Sequence, residues 1–326
     1  MSLINKEDKI FVAGHNGMVG GSVVRNLRES GYKNLLTVSK SELDLSKYNE
    51  VMEWFEKNNP NIVVLAAAKV GGILANNTYP TEFLLENLKI QNNVIESAWK
   101  SSVKRFLFLG SSCIYPKFAE QPIREESLLK GSLEPTNESY ALAKISGIKL
   151  CQSLRDQYGF DSISLMPTNL YGTGDNYDPQ NSHVMPALIR KFIEAKNKNL
   201  DTVTCWGTGT PMREFLHVDD LGKACVFALE NWNPNSDKSP KYDNDNPLYF
   251  LNIGTGKDIS IKNLAALIAK IVGFDGKILW ESSKPDGTPK KLLNIDRIKQ
   301  LGWQPKLNLE EGIKKTVDEF KQMKFK

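Results

Sequence analysis

Short apolar runs alternate with segments of helical periodicity through the first half of the chain. The apolar runs lie at 10–13, 35–38, 62–66, 105–109 and 162–166, and each has the length of a buried strand. Helical spacing of apolar residues occurs over 18–29, about 80–100 and about 140–157. A further helix is predicted after Ser46, which can cap it, and before Pro60. The alternation predicts an α/β fold with a Rossmann-type doubly wound parallel sheet.

The pattern changes after Tyr171 and predicts a smaller, mixed α/β region. Residues 172–182 and 231–247 are rich in Asn and Asp and contain Pro, which is typical of exposed loops. We therefore predict two domains, each made of two stretches of chain. The first is a Rossmann domain of residues 1–167 and 217–253, which binds the cofactor. The second is a C-terminal substrate domain of residues 168–216 and 254–326.

The composition is that of an ordinary globular protein. The chain has 326 residues, of which 40% are hydrophobic and 25% are charged, so it is long enough for a large core. The net charge is only +4, and the lysines are scattered without a dense basic tract. This distribution argues against nucleic acid as the main ligand and is compatible with one local site for an anion.

The cysteines and the N-terminus predict a cytoplasmic protein. The four cysteines, at 113, 151, 205 and 225, form no CxxC pair and no cluster with zinc-ligand spacing. We therefore expect reduced thiols and no bound metal. The first residues lack the apolar core of a signal peptide, and the longest apolar run, 62–68, is too short to cross a bilayer.

A glycine fingerprint follows the first predicted strand. Gly14, Gly17 and Gly20 are spaced G-x-x-G-x-x-G and open the first predicted helix. Such glycines let the backbone turn sharply and approach a pyrophosphate, which then lies at the positive end of the helix. A tight turn with no ligand would use the same residues, but the position after the first strand of an alternating α/β pattern favours dinucleotide binding.

The end of the second predicted strand favours NADP over NAD. An NAD site usually has an acidic residue there, which binds the ribose, but none occurs before Glu42. Lys40 lies in this segment and can face the 2′-phosphate of NADP, although a solvated lysine is also common in such loops.

A hydroxyl and a Tyr/Lys pair indicate chemistry on a carbonyl group. Ser111 follows the fourth predicted strand, and Tyr140 and Lys144 lie four residues apart, on one face of a helix. The lysine ammonium is expected to lower the tyrosine pKa from its free value of ~10. Together the three residues can exchange a proton with a carbonyl oxygen while a cofactor transfers hydride.

A cysteine and a histidine are further candidates for proton transfer. Cys113 lies two residues past Ser111, so both side chains can share one face of an extended segment. A thiol in a polar site can remove a weakly acidic C–H proton, but a free cysteine is more often a small buried hydrophobe. His183 lies where a substrate would be covered, yet a lone histidine is more often structural. The residues alone leave both roles open.

Several longer motifs resemble the GDP-L-fucose synthases, a family of the extended short-chain dehydrogenase/reductase superfamily. The motifs are residues 14–20 (GHNGMVG), 66–73 (AAAKVGGI), 110–116 (GSSCIYP), 167–172 (PTNLYG), 181–184 (NSHV) and 211–215 (PMREF). The similarity runs from about residue 8 to beyond 310. The Ser-Ser-Cys and Asn-Ser-His motifs are far more specific than the glycine fingerprint.

The resemblance implies a bifunctional enzyme that converts GDP-4-keto-6-deoxy-D-mannose to GDP-L-fucose. Ser111, Tyr140 and Lys144 would be the reductase triad, and Cys113 and His183 the base and acid of epimerisation at C3 and C5. NADPH would then reduce C4. The resemblance also implies a homodimer that forms through the helices near 80–100 and 140–157.

Binding residues are implied in the same way. The NADP(H) site would comprise Gly14, His15, Asn16, Gly17, Met18, Val19, Gly20, Lys40, Leu45, Ala67, Leu109, Gly110, Ser111, Tyr140, Lys144, Pro167, Asn169, Leu170 and His183. The GDP-sugar site would comprise Lys191, Trp206, Arg213, Asp286 and Lys291. Asn16 and Lys191 stand where some relatives carry arginine.

Two other functions compete with this interpretation. One is a related nucleotide-sugar epimerase or dehydratase, but a dehydratase often needs a carboxylate pair after the serine, and a simple 4-epimerase would not need both Cys113 and His183. The other is a non-catalytic NADP-sensing module, which need not retain Ser111, Tyr140 and Lys144.

Overall fold

The computed structural model describes residues 2–179, 181–284 and 286–324. Its strands are β1 (Ile10–Ala13), β2 (Leu35–Leu36), β3 (Ile62–Leu65), β4 (Arg105–Leu109), β5 (Ser162–Pro167), β6 (Asn169–Tyr171), β7 (Thr202–Trp206), β8 (Met212–His217), β9 (Phe250–Ile253), β10 (Asp258–Ser260), β11 (Lys277–Glu281) and β12 (Lys290–Lys291). Its α-helices are α1 (Met18–Glu29), α2 (Tyr48–Asn58), α3 (Ile73–Thr78), α4 (Pro80–Lys100), α5 (Glu138–Tyr158), α6 (Val184–Asn197), α7 (Val218–Asn231), α8 (Ile261–Val272), α9 (Asp296–Gln300) and α10 (Leu309–Lys324).

Six parallel strands form the central sheet, in the order β2-β1-β3-β4-β5-β9. Strands β1, β3, β4, β5 and β9 are buried along their whole length, as expected where helices cover both faces. Helix α1 packs along α7, and α4 packs along α2 and α5. This arrangement confirms the predicted α/β class with a Rossmann-type parallel sheet.

The strand order reverses between β1 and β3, because the chain adds β2 on one side of β1 and then crosses to the other side. Such a switch point opens a crevice beyond the carboxyl ends of the strands, where ligands of this fold bind. Gly14 follows β1 and packs closely on Ala67, which follows β3. The glycine fingerprint therefore lies at the mouth of the crevice.

A second apolar core lies in the later part of the chain. Strand β8 pairs with β10, β12 and β6, and β7 pairs with β11. Helices α6, α8 and α10 supply much of this core, including Phe192, Ile268 and Val317. Residues 293–303 instead contribute Leu293, Ile298 and Trp303 to the first core. The domain boundaries given above remain a prediction.

Two local predictions were wrong in detail. Ser46 does not cap α2, because its hydroxyl donates to Asp44 Oδ1 (2.8 Å) and the residue at the helix cap is Lys47. The second strand, predicted over 35–38, is only Leu35–Leu36. No helix in the described part of the chain is long and apolar enough to cross a membrane.

Candidate active site

The turn between β1 and α1 is built for close contact with a ligand. Gly14 has φ +88°, and a Cβ on Gly20 would lie only 2.2 Å from the Gly14 carbonyl oxygen, so both positions require glycine. Helix α1 begins after Gly17 without a side-chain cap, which leaves its first N–H groups available. His15 Nδ1 is buried without a hydrogen-bond partner among the described residues.

Several of the remaining predicted cofactor residues lie at the carboxyl ends of the strands that border the same crevice. Ala67, Leu109 and Pro167 follow or end β3, β4 and β5. Gly110 packs under Met166, and Asn169 Nδ2 donates to the Glu214 carbonyl (2.8 Å) in the strand that pairs with β6. Residues that complete the set are Met18 and Val19 at the start of α1, Leu170 in β6, half-buried Leu45, and exposed Asn16 and Lys40.

Tyr140 and Lys144 lie one turn apart on α5, as predicted. The Lys144 ammonium is 5.8 Å from the centre of the Tyr140 ring and donates to the Leu109 carbonyl (2.9 Å). Burial lowers the Lys144 pKa to about 8. Burial also raises the Tyr140 pKa, and the nearby Cys113 adds to this effect. The expected lowering of the tyrosine pKa is therefore wrong for this structure, because loss of solvent around the phenol raises it.

Ser111 and Cys113 come together through a tight turn rather than an extended segment. Residues Ser112–Ile114 form a 3-10 helix that Ser111 caps, with its Oγ accepting from the Cys113 N–H (3.3 Å). The expectation of an extended segment was wrong, since this cap folds the chain back. The Cys113 side chain is buried, which raises its pKa, while Lys291, Ser111 and Lys144 act to lower it.

His183 belongs to the second part of the chain and directly follows residues that contact the segment after β3. It precedes α6, and its side chain is exposed. The preceding residues are fixed against the segment after β3, because the Gly72 N–H donates to the Asn181 carbonyl (3.3 Å) and a Cβ on Gly72 would lie 2.9 Å from the Ser182 oxygen. Partial loss of solvent around the imidazole lowers the pKa of His183 below its ordinary value.

Arg213 and Lys291 form a cationic pair on adjacent strands. They are register partners in β8 and β12, and burial lowers the pKa of both side chains. Asp286 is the charge that most opposes this shift in Arg213. The carboxylate oxygens of Asp286 accept from the Thr208 N–H and hydroxyl, both at 2.8 Å, so it fastens the turn after β7.

Trp206 ends β7, and the side chain of Lys191 from α6 lies beside it. The Trp206 ring is 53% exposed, and the ammonium groups of Lys191 and Lys284 each lie 5.5 Å from its centre. Lys191 also donates to the Thr204 carbonyl (2.9 Å). A free aromatic face flanked by cations suits a ligand with both a planar ring and phosphates.

Sequence reasoning missed three buried polar residues near the site. Glu214 accepts from the N–H groups of Thr255 (2.6 Å), Gly256 (2.7 Å) and Leu293 (3.0 Å). The carboxylate of buried Glu134 raises the pKa of both Arg213 and Lys291. The side chain of buried Asn252 donates to the carbonyl groups of Ile123 and Asn294. Glu214 follows Arg213 in the PMREF motif, which was a signal; Asn252 lies in an ordinary strand and gave none.

Comparison with known proteins shows which family the chain belongs to. The model of the NAD dependent epimerase/dehydratase family matches residues 10–240. GDP-L-fucose synthase 1 of Arabidopsis thaliana is 54% identical over 97% of this chain and 94% of its own length. GDP-L-fucose synthase of Escherichia coli is 49% identical over 96% of this chain and 97% of its own.

A solved structure extends the comparison to a reductase. MlghC, a GDP-mannoheptose C4 reductase from Campylobacter jejuni with NADP bound, superposes with a TM-score of 0.86 at 36% identity, covering 98% of this chain and 99% of the other. The chain therefore belongs to the NAD dependent epimerase/dehydratase family and, within it, to the GDP-L-fucose synthases.

Proposed function

We propose that this protein converts GDP-4-keto-6-deoxy-D-mannose to GDP-L-fucose, by epimerisation at C3 and C5 followed by NADPH-dependent reduction at C4. The observation that carries the proposal is the position of Cys113. Its thiol is close enough to Tyr140 and Lys144 for their charges to affect one another, and it is hydrogen-bonded to Ser111. One carbonyl oxygen can therefore be held beside both a reductase triad and a carbon base.

The crevice at the switch point fits NADP(H). The uncapped start of α1 suits the pyrophosphate, the unpaired His15 Nδ1 can meet a polar group, and exposed Lys40 suits the 2′-phosphate. When bound, the cofactor supplies hydride to C4 of the sugar. The cofactor residues named above would hold it, with Gly14 and Gly20 allowing its close approach.

Epimerisation needs a base and an acid on opposite sides of the sugar. The 4-keto group acidifies C3 and C5, so the Cys113 thiolate can remove a proton from either carbon. Ser111 and Tyr140 hydrogen-bond the resulting enolate oxygen. His183 then returns a proton to the other face of the carbon.

Reduction uses the same oxygen site. As hydride reaches C4, Tyr140 donates its proton to O4, and the Lys144 ammonium stabilises the tyrosinate that remains. Because its pKa is raised, Tyr140 keeps its proton until this step. The triad thus serves both reactions, and Cys113 and His183 are needed only for the first.

The GDP-sugar would lie along β8 and β12. Arg213 and Lys291 suit its sugar and diphosphate, and Lys191 and Trp206 suit its outer end. Asp286 is proposed to act by holding the turn beside them, since its carboxylate already binds Thr208. Residues 1–167 with 217–253 would form the NADP domain, and 168–216 with 254–326 the GDP-sugar domain.

Two finer properties complete the proposal: a homodimer and a cytoplasmic location. Leu85 on α4 and Leu142 on α5 are 48% and 42% exposed. A groove between these helices is lined by Trp99, Leu150 and Leu154 together with Asn92 and Glu96. Such a surface is suited to a second copy of the chain. Reduced cysteines favour the cytoplasm.

A second candidate is C4 reduction without epimerisation, because the structural relative with NADP is described as a C4 reductase of a GDP-heptose. Incubation with GDP-4-keto-6-deoxymannose and NADPH tests both. Loss of NADPH absorbance with GDP-L-fucose as product supports the proposal. NADPH loss with an unepimerised GDP-6-deoxyhexose would favour the second candidate, and no consumption would refute both.

A further inference from the structure

Lys291 is a half-buried cation without an acidic partner. No carboxylate among the described residues lies within 4.0 Å of its ammonium, whereas neighbouring Lys290 pairs with Asp258 (3.4 Å). An unpaired ammonium in a confined place is costly, so its position calls for a compensating negative charge.

Among the charged groups around Lys291, the Cys113 thiol has the largest effect on the lysine pKa. Lys291 is the strongest charge acting on Cys113, and Cys113 is in turn the strongest charge acting on Lys291. The other groups facing the thiol are Ser111 from its own segment and Lys144 and Tyr140 from α5. Arg213 from β8 and Glu134 from the segment before α5 face Lys291.

A buried hydrogen-bond network fixes the two segments that carry this pair. Tyr115, two residues past Cys113, donates from its hydroxyl to Asn252 Oδ1 (2.5 Å). Asn252 Nδ2 donates to the carbonyl groups of Ile123 (2.9 Å) and Asn294 (3.2 Å).

The same network reaches the residues that follow Lys291. The Asn294 N–H donates to the Ile123 carbonyl (2.8 Å), and the Ile123 N–H donates to the Leu292 carbonyl (2.7 Å). Tyr115 and Asn252 are at most 2% exposed. One asparagine in β9 thus ties the cysteine segment to the segment of Lys291, although they are far apart in the sequence.

We propose that Lys291 supplies the positive charge that stabilises the Cys113 thiolate, and that the network of Tyr115, Asn252 and Asn294 holds the two residues at a fixed separation. Lys291 then acts through Cys113 as a positioning residue, in addition to any contact with the substrate. The charge is needed because burial alone would keep the thiol protonated and unable to remove a proton. A role of Lys291 in catalysis rests on the proposed function, whereas its effect on the ionisation of the Cys113 thiol does not.

The test is a titration of Cys113 without substrate or cofactor. Thiolate absorbance in the ultraviolet is measured against pH for each protein, and the curve of the same protein with Cys113→Ser is subtracted, which removes tyrosine and the other cysteines. Lys291→Met is expected to raise the titration midpoint by about one pH unit, a tenfold smaller thiolate fraction below the midpoint. Lys291→Arg should restore the midpoint, and Lys290→Met should leave it unchanged.

Folding of every variant is checked by circular dichroism and thermal melting. An unchanged midpoint in folded Lys291→Met overturns the proposal, as does an equal shift in Lys290→Met. If Lys291→Met itself does not fold, Lys291→Gln replaces it, with the same expected shift. Failure of the proposed function would appear separately, as absence of GDP-L-fucose formation by the unaltered protein whose thiol titrates as expected.

Discussion

At the scale of single residues, the site separates two kinds of proton transfer. In the proposed mechanism, Cys113 and His183 exchange protons with carbon, whereas Tyr140 exchanges one with oxygen. As a base, Cys113 must lose its proton before the reaction, whereas Tyr140 must keep its proton until hydride reaches C4. Burial raises the pKa of both Cys113 and Tyr140, but Lys291, Ser111 and Lys144 oppose the shift only at the cysteine. The pKa of the thiol is therefore raised less than burial alone would raise it, next to a tyrosine that stays protonated.

Replacing Cys113 by alanine should uncouple the two reactions. We expect incorporation of solvent deuterium at C3 and C5 to fall by about a hundredfold or more, the usual loss on removing a general base. Some NADPH-dependent reduction of the unepimerised ketone should persist. Both are measured on GDP-4-keto-6-deoxymannose, by NMR and by absorbance.

Tyr140→Phe is the matched control, since it should abolish reduction and retain part of the deuterium exchange. Normal exchange in Cys113→Ala would exclude the cysteine as the base. Near-normal turnover in Tyr140→Phe would exclude the triad assignment.

Lys144 illustrates how burial of a charged side chain lowers the stability of the fold. It is 3% exposed, and its pKa is lowered to about 8 because burial penalises the charged form. A lysine with a lowered pKa destabilises the fold below that pKa, and the penalty disappears as pH rises from about 8 toward the unfolded value. Lys144→Met should therefore raise the free energy of unfolding at neutral pH by about 2 kcal/mol.

The same substitution should abolish reduction, because the tyrosinate at residue 140 loses its cation. Denaturant unfolding at neutral pH and above pH 9 measures the effect, and the gain should shrink at the higher pH. A loss of stability at neutral pH would show that the bond to the Leu109 carbonyl outweighs desolvation.

At the scale of secondary structure elements, the turn before α1 depends on which glycine is changed. A Cβ on Gly20 would lie 2.2 Å from a backbone oxygen that cannot move aside, whereas a Cβ on Gly17 would lie at 3.4 Å, an ordinary contact. Gly20→Ala should destabilise the protein by about 1–3 kcal/mol. Gly17→Ala should change the free energy of unfolding by no more than about 0.5 kcal/mol.

Both glycine variants are compared by thermal melting and by NADPH binding. Weaker binding in Gly20→Ala is expected together with the lower melting temperature, since the turn itself is displaced. Equal stability of the two variants would mean that α1 can shift away from Gly14, and the steric argument would fail.

The elements were predictable where periodicity alone decides them. Buried strands such as β3 and long helices such as α4 follow from their apolar pattern, and the Tyr140/Lys144 spacing placed both residues on one face. The turn at Ser111 was not predictable, because a hydroxyl that caps its own chain competes with extended structure through one hydrogen bond. The partners of Asn252 were equally hidden, since they come from segments distant in sequence.

At the scale of the whole molecule, α4 and α5 carry the proposed dimer surface, and α5 also carries two of the proposed catalytic residues. Helix α5 carries half-buried Tyr140 and buried Lys144, and it exposes Leu142, which lies between them in the sequence. Tyr158 near its end is also exposed and stacks on Trp99 of α4, with ring centres 4.7 Å apart. If a second copy covers this surface, dimer formation stabilises the helix that holds the triad.

The dimer is tested with Leu85→Asp combined with Leu142→Asp. A buried, unpaired carboxylate is unfavourable, so we expect the double variant to dissociate at concentrations where the unaltered protein is a dimer in sedimentation velocity. Leu200→Asp is the control, because Leu200 is 50% exposed but lies between α6 and β7. Since assembly is linked to stability, the unaltered protein should also melt at higher temperature as its concentration rises, and the double variant should not. A monomeric unaltered protein, or dissociation by Leu200→Asp alone, would move the interface away from α4 and α5.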